Sequence, residues 1–127
     1  MDTKKHSVED LFSDNGPFDE AEVVKAIQPL ITIQKSTHDI FLKNSSANAE
    51  SQILAYGLAK KLLRMKKLIE NEMITALELH KKTGIKKGTI DPTFKRLKDE
   101  GYIVGKGEYE IQISKISKII ELLNKYR

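Results

Sequence analysis

Apolar positions along this chain switch between a helical and an alternating rhythm. Val23, Val24 and Ile27 form one face of a helix that starts at Asp19. Glu22 sits three residues after Asp19, as in a capping box, and Phe18 and Val23 have the spacing of a hydrophobic staple. Pro29 biases Gln28 away from helical geometry, so this helix ends there. Leu30–Lys43 reads in two ways: a hairpin turning at Lys35–His38, or more helix. Asn44-Ser45-Ser46 breaks the pattern, with Ser46 as an N-cap. The longest helical signal follows, from Ala47 to about Ile69, on Ile53, Leu54, Leu58, Leu62 and Leu68. Ahead of all this, Met1–Gly16 offers only Val8, Leu11 and Phe12 and reads as loose chain or a short docked helix.

From Met73 the rhythm becomes more informative. Thr75 caps a short helix with Glu78 at the capping-box position, and Gly84 ends it. Ile85 plugs the turn. A second helix runs from Lys86 or Lys87 to Glu100 with Ile90, Phe94 and Leu97 on its buried face. Pro92 is tolerable only near that helix's first turn. Gly101 stops it. Tyr102-Ile103-Val104, the turn Gly105-Lys106-Gly107, and alternating Tyr109, Ile111 and Ile113 make a hairpin. Ser114 caps a last helix, Lys115–Tyr126, with Ile116, Ile119, Ile120 and Leu123 in one stripe. That stripe needs a cover, either the 47–69 helix of its own chain or the same helix of a second subunit.

Helix, glycine turn, helix, hairpin is the order of a helix-turn-helix followed by a β-wing. The stretch LELHKKTGIKKGTIDPTFKRLKDEGYIV resembles the winged helix-turn-helix of transcriptional regulators, especially the MarR and PadR groups. The likeness rests on Thr83-Gly84, on Lys-Lys-Gly-Thr-Ile at 86–90, on Pro92, and on Leu97 followed by Lys-Asp-Glu-Gly-Tyr-Ile. It spans residues 47–113. It implies a mainly α fold, a three-helix core plus β-wing, flanked here by an acidic N-terminal extension (1–46, one helix) and a C-terminal helix (114–127). It also implies homodimers that read two half-sites, which would make Ile116, Ile119, Ile120 and Leu123 the dimer interface. His80 departs from the family, which usually carries Ala there, and reads as a partly buried structural histidine.

Charge sharpens this picture. The net charge is +4, but residues 1–46 hold five lysines against eight carboxylates (net −3) and residues 47–127 hold 17 basic against 10 acidic groups (net +7). A basic region behind an acidic start fits a polyanion partner. The chain has no cysteine, which excludes a disulfide framework and a thiol nucleophile and fits a reducing cytoplasm. No apolar run reaches the roughly 20 residues of a bilayer span, and no leader-like apolar stretch opens the chain. Three histidines, at 6, 38 and 80, and isolated pairs such as His38-Asp39 give no catalytic or metal constellation. We therefore expect no enzyme, no metal and no cofactor. Any small-molecule effector is unspecified by the sequence.

With Ile90 at the centre of the buried face, the outward side of helix 87–100 carries Gly88, Thr89, Pro92, Lys95, Arg96 and Asp99. Lys86, Lys87, Gly88 and Thr89 suit phosphate, Lys95 and Arg96 suit base edges, Thr93 lies to the side, and Lys106 marks the wing tip. Lys60, Lys61, Arg64, Lys66 and Lys67 add a basic run, read either as a backbone-contacting cluster or as a solvated helix end. The expected partner is double-stranded DNA. The rival expectation is a winged helix that docks a protein, because Asp91 and Asp99 set negative charge beside the same face.

Overall fold

A computed structural model describes residues 18–43 and 47–125. The readings of residues 1–16 and of Tyr126 lie outside the described residues, and the cap expected at Ser46 is supplied by Asn48 instead. The fold is mainly helical with small antiparallel β pairings.

α1 (Glu20–Ile27) starts where the sequence places it. Asp19 Oδ1 accepts from the backbone N–H of Ala21 at 3.0 Å and of Glu22 at 3.4 Å, satisfying amides that have no partner inside the helix. Val23, Ala26 and Ile27 are its buried side. Between the two readings of 30–43, the structure has the hairpin. β1 (Ile31–Ile33) pairs antiparallel with β2 (Ile40–Leu42), Thr32 opposite Phe41. Period-two burial explains the choice: Ile31 and Ile40 face inward while Thr32 and Phe41 face water. The turn closes with His38 in the left-handed region, φ +63°.

α2 (Ala49–Met65) is the axle of the molecule. Asn48 caps it, Oδ1 accepting from Ser51 N–H at 2.8 Å. Residues 51–59 are all buried, because α1, β2 and three later elements pack around this one helix. It stops four residues before the predicted Ile69. Lys67 turns left-handed (φ +61°) and Leu68 points outward.

α3 (Ala76–Thr83) is capped by Thr75 Oγ1, which accepts from Glu78 N–H at 3.1 Å. Glu78 does not close a capping box. Its carboxylate accepts from Tyr56 Oη at 2.7 Å and Lys60 Nζ at 2.8 Å instead. Gly84 takes φ +80° and ends the helix, a conformation open to glycine at little steric cost. α4 (Lys87–Asp99) buries Ile90, Phe94 and Leu97 as predicted. It packs on α2, α3 and β3 (Ile103–Gly105). β3 pairs with β4 (Tyr109–Ile111), and Ile74 adds a further rung by exchanging both backbone bonds with Tyr109, at 2.6 and 2.8 Å. Gly57 lets α2 approach this hairpin. A Cβ there would stand 2.8 Å from Ile111 Cγ1.

Two sequence expectations fail at the C-terminal end. Ile113 is not a strand residue: the chain leaves β4 after Ile111 and enters a 3-10 turn, Ile113–Lys115, which leaves Ile113 46% exposed. Ser114 caps nothing there. The last helix, α5 (Ile116–Asn124), follows the 3-10 turn directly and has no side-chain cap.

Of the two covers expected for the stripe on α5, the structure has the one within the chain, with α1 joining α2. Ile116, Ile119 and Leu123 are buried against the chain's own α1 and α2, and Ile120 is half-buried beside them. Ile116, Ile119 and Leu123 are therefore not a dimer interface: exposing them to a second subunit would first require opening the core. The core itself crosses the boundary drawn at 46/47, since Val23, Ala26, Ile27, Leu30, Ile31 and Ile40 belong to the same cluster as Leu54, Leu58, Leu97 and Ile119.

Candidate nucleic-acid interface

The outward side of α4 is open. Lys86, Lys87, Gly88, Thr89, Asp91, Pro92, Lys95 and Asp99 are all exposed. The reason is local. Burying Ile90, Phe94 and Leu97 against α2, α3 and β3 uses one side of the helix and leaves the other to solvent.

The N-terminus of α4 differs from those of the three helices before it. α1, α2 and α3 are each capped by a side chain and carry Glu20 and Glu22, Glu50, or Glu78 in the first turn. α4 has neither a side-chain cap nor an acidic first turn. Lys86 O accepts from Thr89 N–H at 2.9 Å and Ile90 N–H at 3.0 Å. The amides of Lys87 and Gly88 stand at the tip of the helix between two exposed lysines, at the positive end of the helix dipole. Pro92 sits on the exposed side and removes only the bond to Gly88 O, a carbonyl on the solvent side.

Thr93 is a correction. It is 4% exposed, and its Oγ1 donates to Thr89 O at 2.7 Å, so its hydroxyl is spent on its own helix. It offers nothing to a ligand. Arg96 is exposed but engaged: its Nε meets Glu50 Oε2 at 3.3 Å, joining α4 to the start of α2. Lys106 lies at the tip of the second hairpin, beside Glu108. His80 is exposed rather than partly buried. Its Nδ1 lies 2.9 Å from Ile85 O and ties the turn between α3 and α4.

A cleft of about 490 Å³ opens between α4 and the second hairpin. Phe94 and Tyr109 meet at its base with ring centroids 4.6 Å apart. Lys95 and Lys98 line it, and so do Asp91 and Asp99. Its field is thus mixed, unlike that at the helix tip.

The basic run on α2 is not an available cluster. Lys60 Nζ donates to Glu78 at 2.8 Å and to Met73 O at 3.1 Å. Lys61 is 6% exposed and bridges Glu72 at 3.2 Å and Glu110 at 2.6 Å. Lys66 meets Glu20 at 3.1 Å. Arg64 and Lys67 remain exposed. Sequence reasoning missed the role of Lys61, although a signal was present: Lys61 falls on the same helical stripe as Leu54 and Leu58, seven residues after the first. Beside it, burial pushes the Tyr56 phenol far above its usual range, and the Glu78 carboxylate that accepts its proton adds to the shift.

No known protein family, curated protein or solved structure matches the chain. What the face can do therefore rests on its own chemistry. Among the described residues no three His, Asp or Glu side chains gather to hold a metal ion. Nor is any helix of the described residues long and apolar enough to cross a membrane.

Proposed function

We propose that this chain binds double-stranded DNA with sequence preference, as a small cytoplasmic transcriptional regulator of the winged helix-turn-helix type. In this reading α3 and α4 are the helix-turn-helix, and the β3–β4 hairpin is the wing. α4 enters the major groove, tip first. The observation that carries it is the uncapped, acid-free start of α4, flanked by Lys86 and Lys87 and fully exposed. Backbone N–H groups and lysines at a helix tip suit a phosphate oxygen. Lys95, about two turns beyond Lys87 on the exposed side, is the residue suited to reach a base edge. Lys106 adds a backbone contact from the wing. Arg96 is a weaker reader than the sequence implies, because contacting a base means leaving Glu50. If the regulator is a homodimer, it pairs through a surface other than the buried Ile116, Ile119 and Leu123.

Gel-shift titration after selection from a random duplex pool tests the reading. Lys95→Ala should flatten discrimination at one base pair by about 1–3 kcal/mol. Failure to enrich any sequence, together with salt-independent retention on DNA, would reject it. That outcome would favour a protein-docking role for the cleft, where Asp91 and Asp99 face Lys95 and Lys98.

A further inference from the structure

On elements that do not pack against α4, the start of α1, the 3-10 turn and α5 enclose a groove of about 370 Å³. Phe18, Ile113 and Ile120 supply its apolar surface, and Asp19, Glu22 and Glu121 stand around it. One feature separates it from the other clefts of the surface. No lysine or arginine lines it, in a chain that carries 22. Elsewhere among the described residues, Glu20, Asp39, Glu50, Glu72, Glu78 and Glu110 are each drawn into an ion pair, while Glu70, Asp91, Asp99, Glu100 and Glu108 are exposed without one. Glu22 and Glu121 meet no cation among the described residues, and both are exposed. Lys115, the nearest cation on the 3-10 turn, runs over Gly101 instead.

We infer that this groove docks a lysine- or arginine-bearing segment of a partner protein. One or two apolar side chains of that segment enter beside Ile113 and Ile120, and its cations meet Glu22 and Glu121. The apolar contacts supply affinity through surface removed from water. The carboxylates supply selectivity and faster encounter, and they repel an acidic segment of equal hydrophobicity. Because α1 and α5 pack on each other and on α2, docking here leaves the outward face of α4 free. The inference does not depend on DNA binding.

The test uses the full ¹⁵N-labelled chain and two synthetic amphipathic peptides of about 15 residues, long enough for a marginal helix. They share leucine positions and differ only in carrying lysine or glutamate elsewhere. Amide shifts confined to Phe18–Glu22 and Ile113–Glu121 with the lysine peptide, and none with the glutamate peptide, are expected. The double variant Glu22→Lys, Glu121→Lys should weaken binding about tenfold, the scale of two exposed ion pairs. Equal response to both peptides, shifts elsewhere, or no shifts would overturn the proposal. Two further results would also overturn it in favour of another occupant. One is movement of the same amides in the free full-length variant Leu11→Asn, Phe12→Asn, which would assign the groove to the chain's own N-terminal segment. The other is a concentration-dependent dimer in sedimentation that the Glu22→Lys, Glu121→Lys variant dissolves, which would assign it to a second copy.

Discussion

Lys60-Lys61 and Lys86-Lys87 are the same dipeptide in two places, and the fold treats them oppositely. The first pair lies on α2 and is consumed by carboxylates: Glu78 holds Lys60, while Glu72 and Glu110 hold Lys61. The second pair opens α4 and stands in water. The difference comes from the position of each helix. α2 is surrounded, so a lysine on its stripe must bring partners into the interior with it, because an unpaired buried ammonium is too costly. α4 buries one side only, so its lysines remain available. A basic run is thus a statement about binding only after the fold has neutralised what it needs for itself.

The largest test of this contrast is Lys61→Met. It strands Glu72 and Glu110 around an apolar side chain and should cost about 2–3 kcal/mol in denaturant unfolding, below the cost at a fully buried pair because both glutamates are partly exposed. An unchanged midpoint would mean that Lys61 is a surface charge after all. Its counterpart is the double substitution Lys86→Ala, Lys87→Ala. Here stability should hold, while DNA affinity falls about tenfold at moderate salt and the log–log salt slope drops by about two. Were Lys60→Ala and Lys66→Ala to lower that slope more than the α4 pair, the comparison would be reversed.

A smaller effect of opposite sign is expected at Ser51. Its hydroxyl is fully buried in α2 and has no hydrogen-bond partner among the described residues. Ser51→Ala should therefore raise stability by about 1 kcal/mol, read from the chemical denaturation midpoint. A loss of stability would reveal an unseen partner for the oxygen.

pH separates the buried side from the exposed one more gently. Tyr56 has its pKa raised, so its contribution is complete below the ordinary phenol value of 10.0 and declines as pH climbs beyond it. Tyr56→Phe should flatten that alkaline decline in a series of unfolding curves. At the other end, Asp39 is held below the usual carboxylate range by its hydrogen bond from Lys82 and by Thr37. Its contribution is present above that range and is lost as pH falls through the lowered value. The pair is exposed, so Asp39→Asn should change the acid limb only slightly.

Much of the architecture was legible in local chemistry. Asp19 and Thr75 cap helices because their side chains reach amides two or three residues on, an interaction that needs no tertiary partner. Gly84 ends α3, and Ile90, Phe94 and Leu97 turn inward at helical spacing. Where the reading failed, a distant segment had intervened. Thr93 sits at the side of α4 by geometry alone, yet packing buries it and sends its hydroxyl to Thr89. Arg96 looks free until Glu50, 46 positions earlier, arrives beside it. The hairpin at 31–42 competes with helix on sequence and prevails through the antiparallel pairing that lets Ile31 and Ile40 share one buried side.

The sequence by itself determined the bounds of α1, α3 and α4 and which side of each helix is apolar, since caps, glycines and periodicity act over a few residues; the end of α2 and the start of α5 escaped it. Only the tertiary structure decided which apolar stripe met which, and which charges were left over. α5 closing on α1 rather than on a second subunit, and Lys61 closing on Glu72 and Glu110, are contacts between residues far apart in the chain. Burial and ion pairing are properties of such meetings, and no local pattern encodes them.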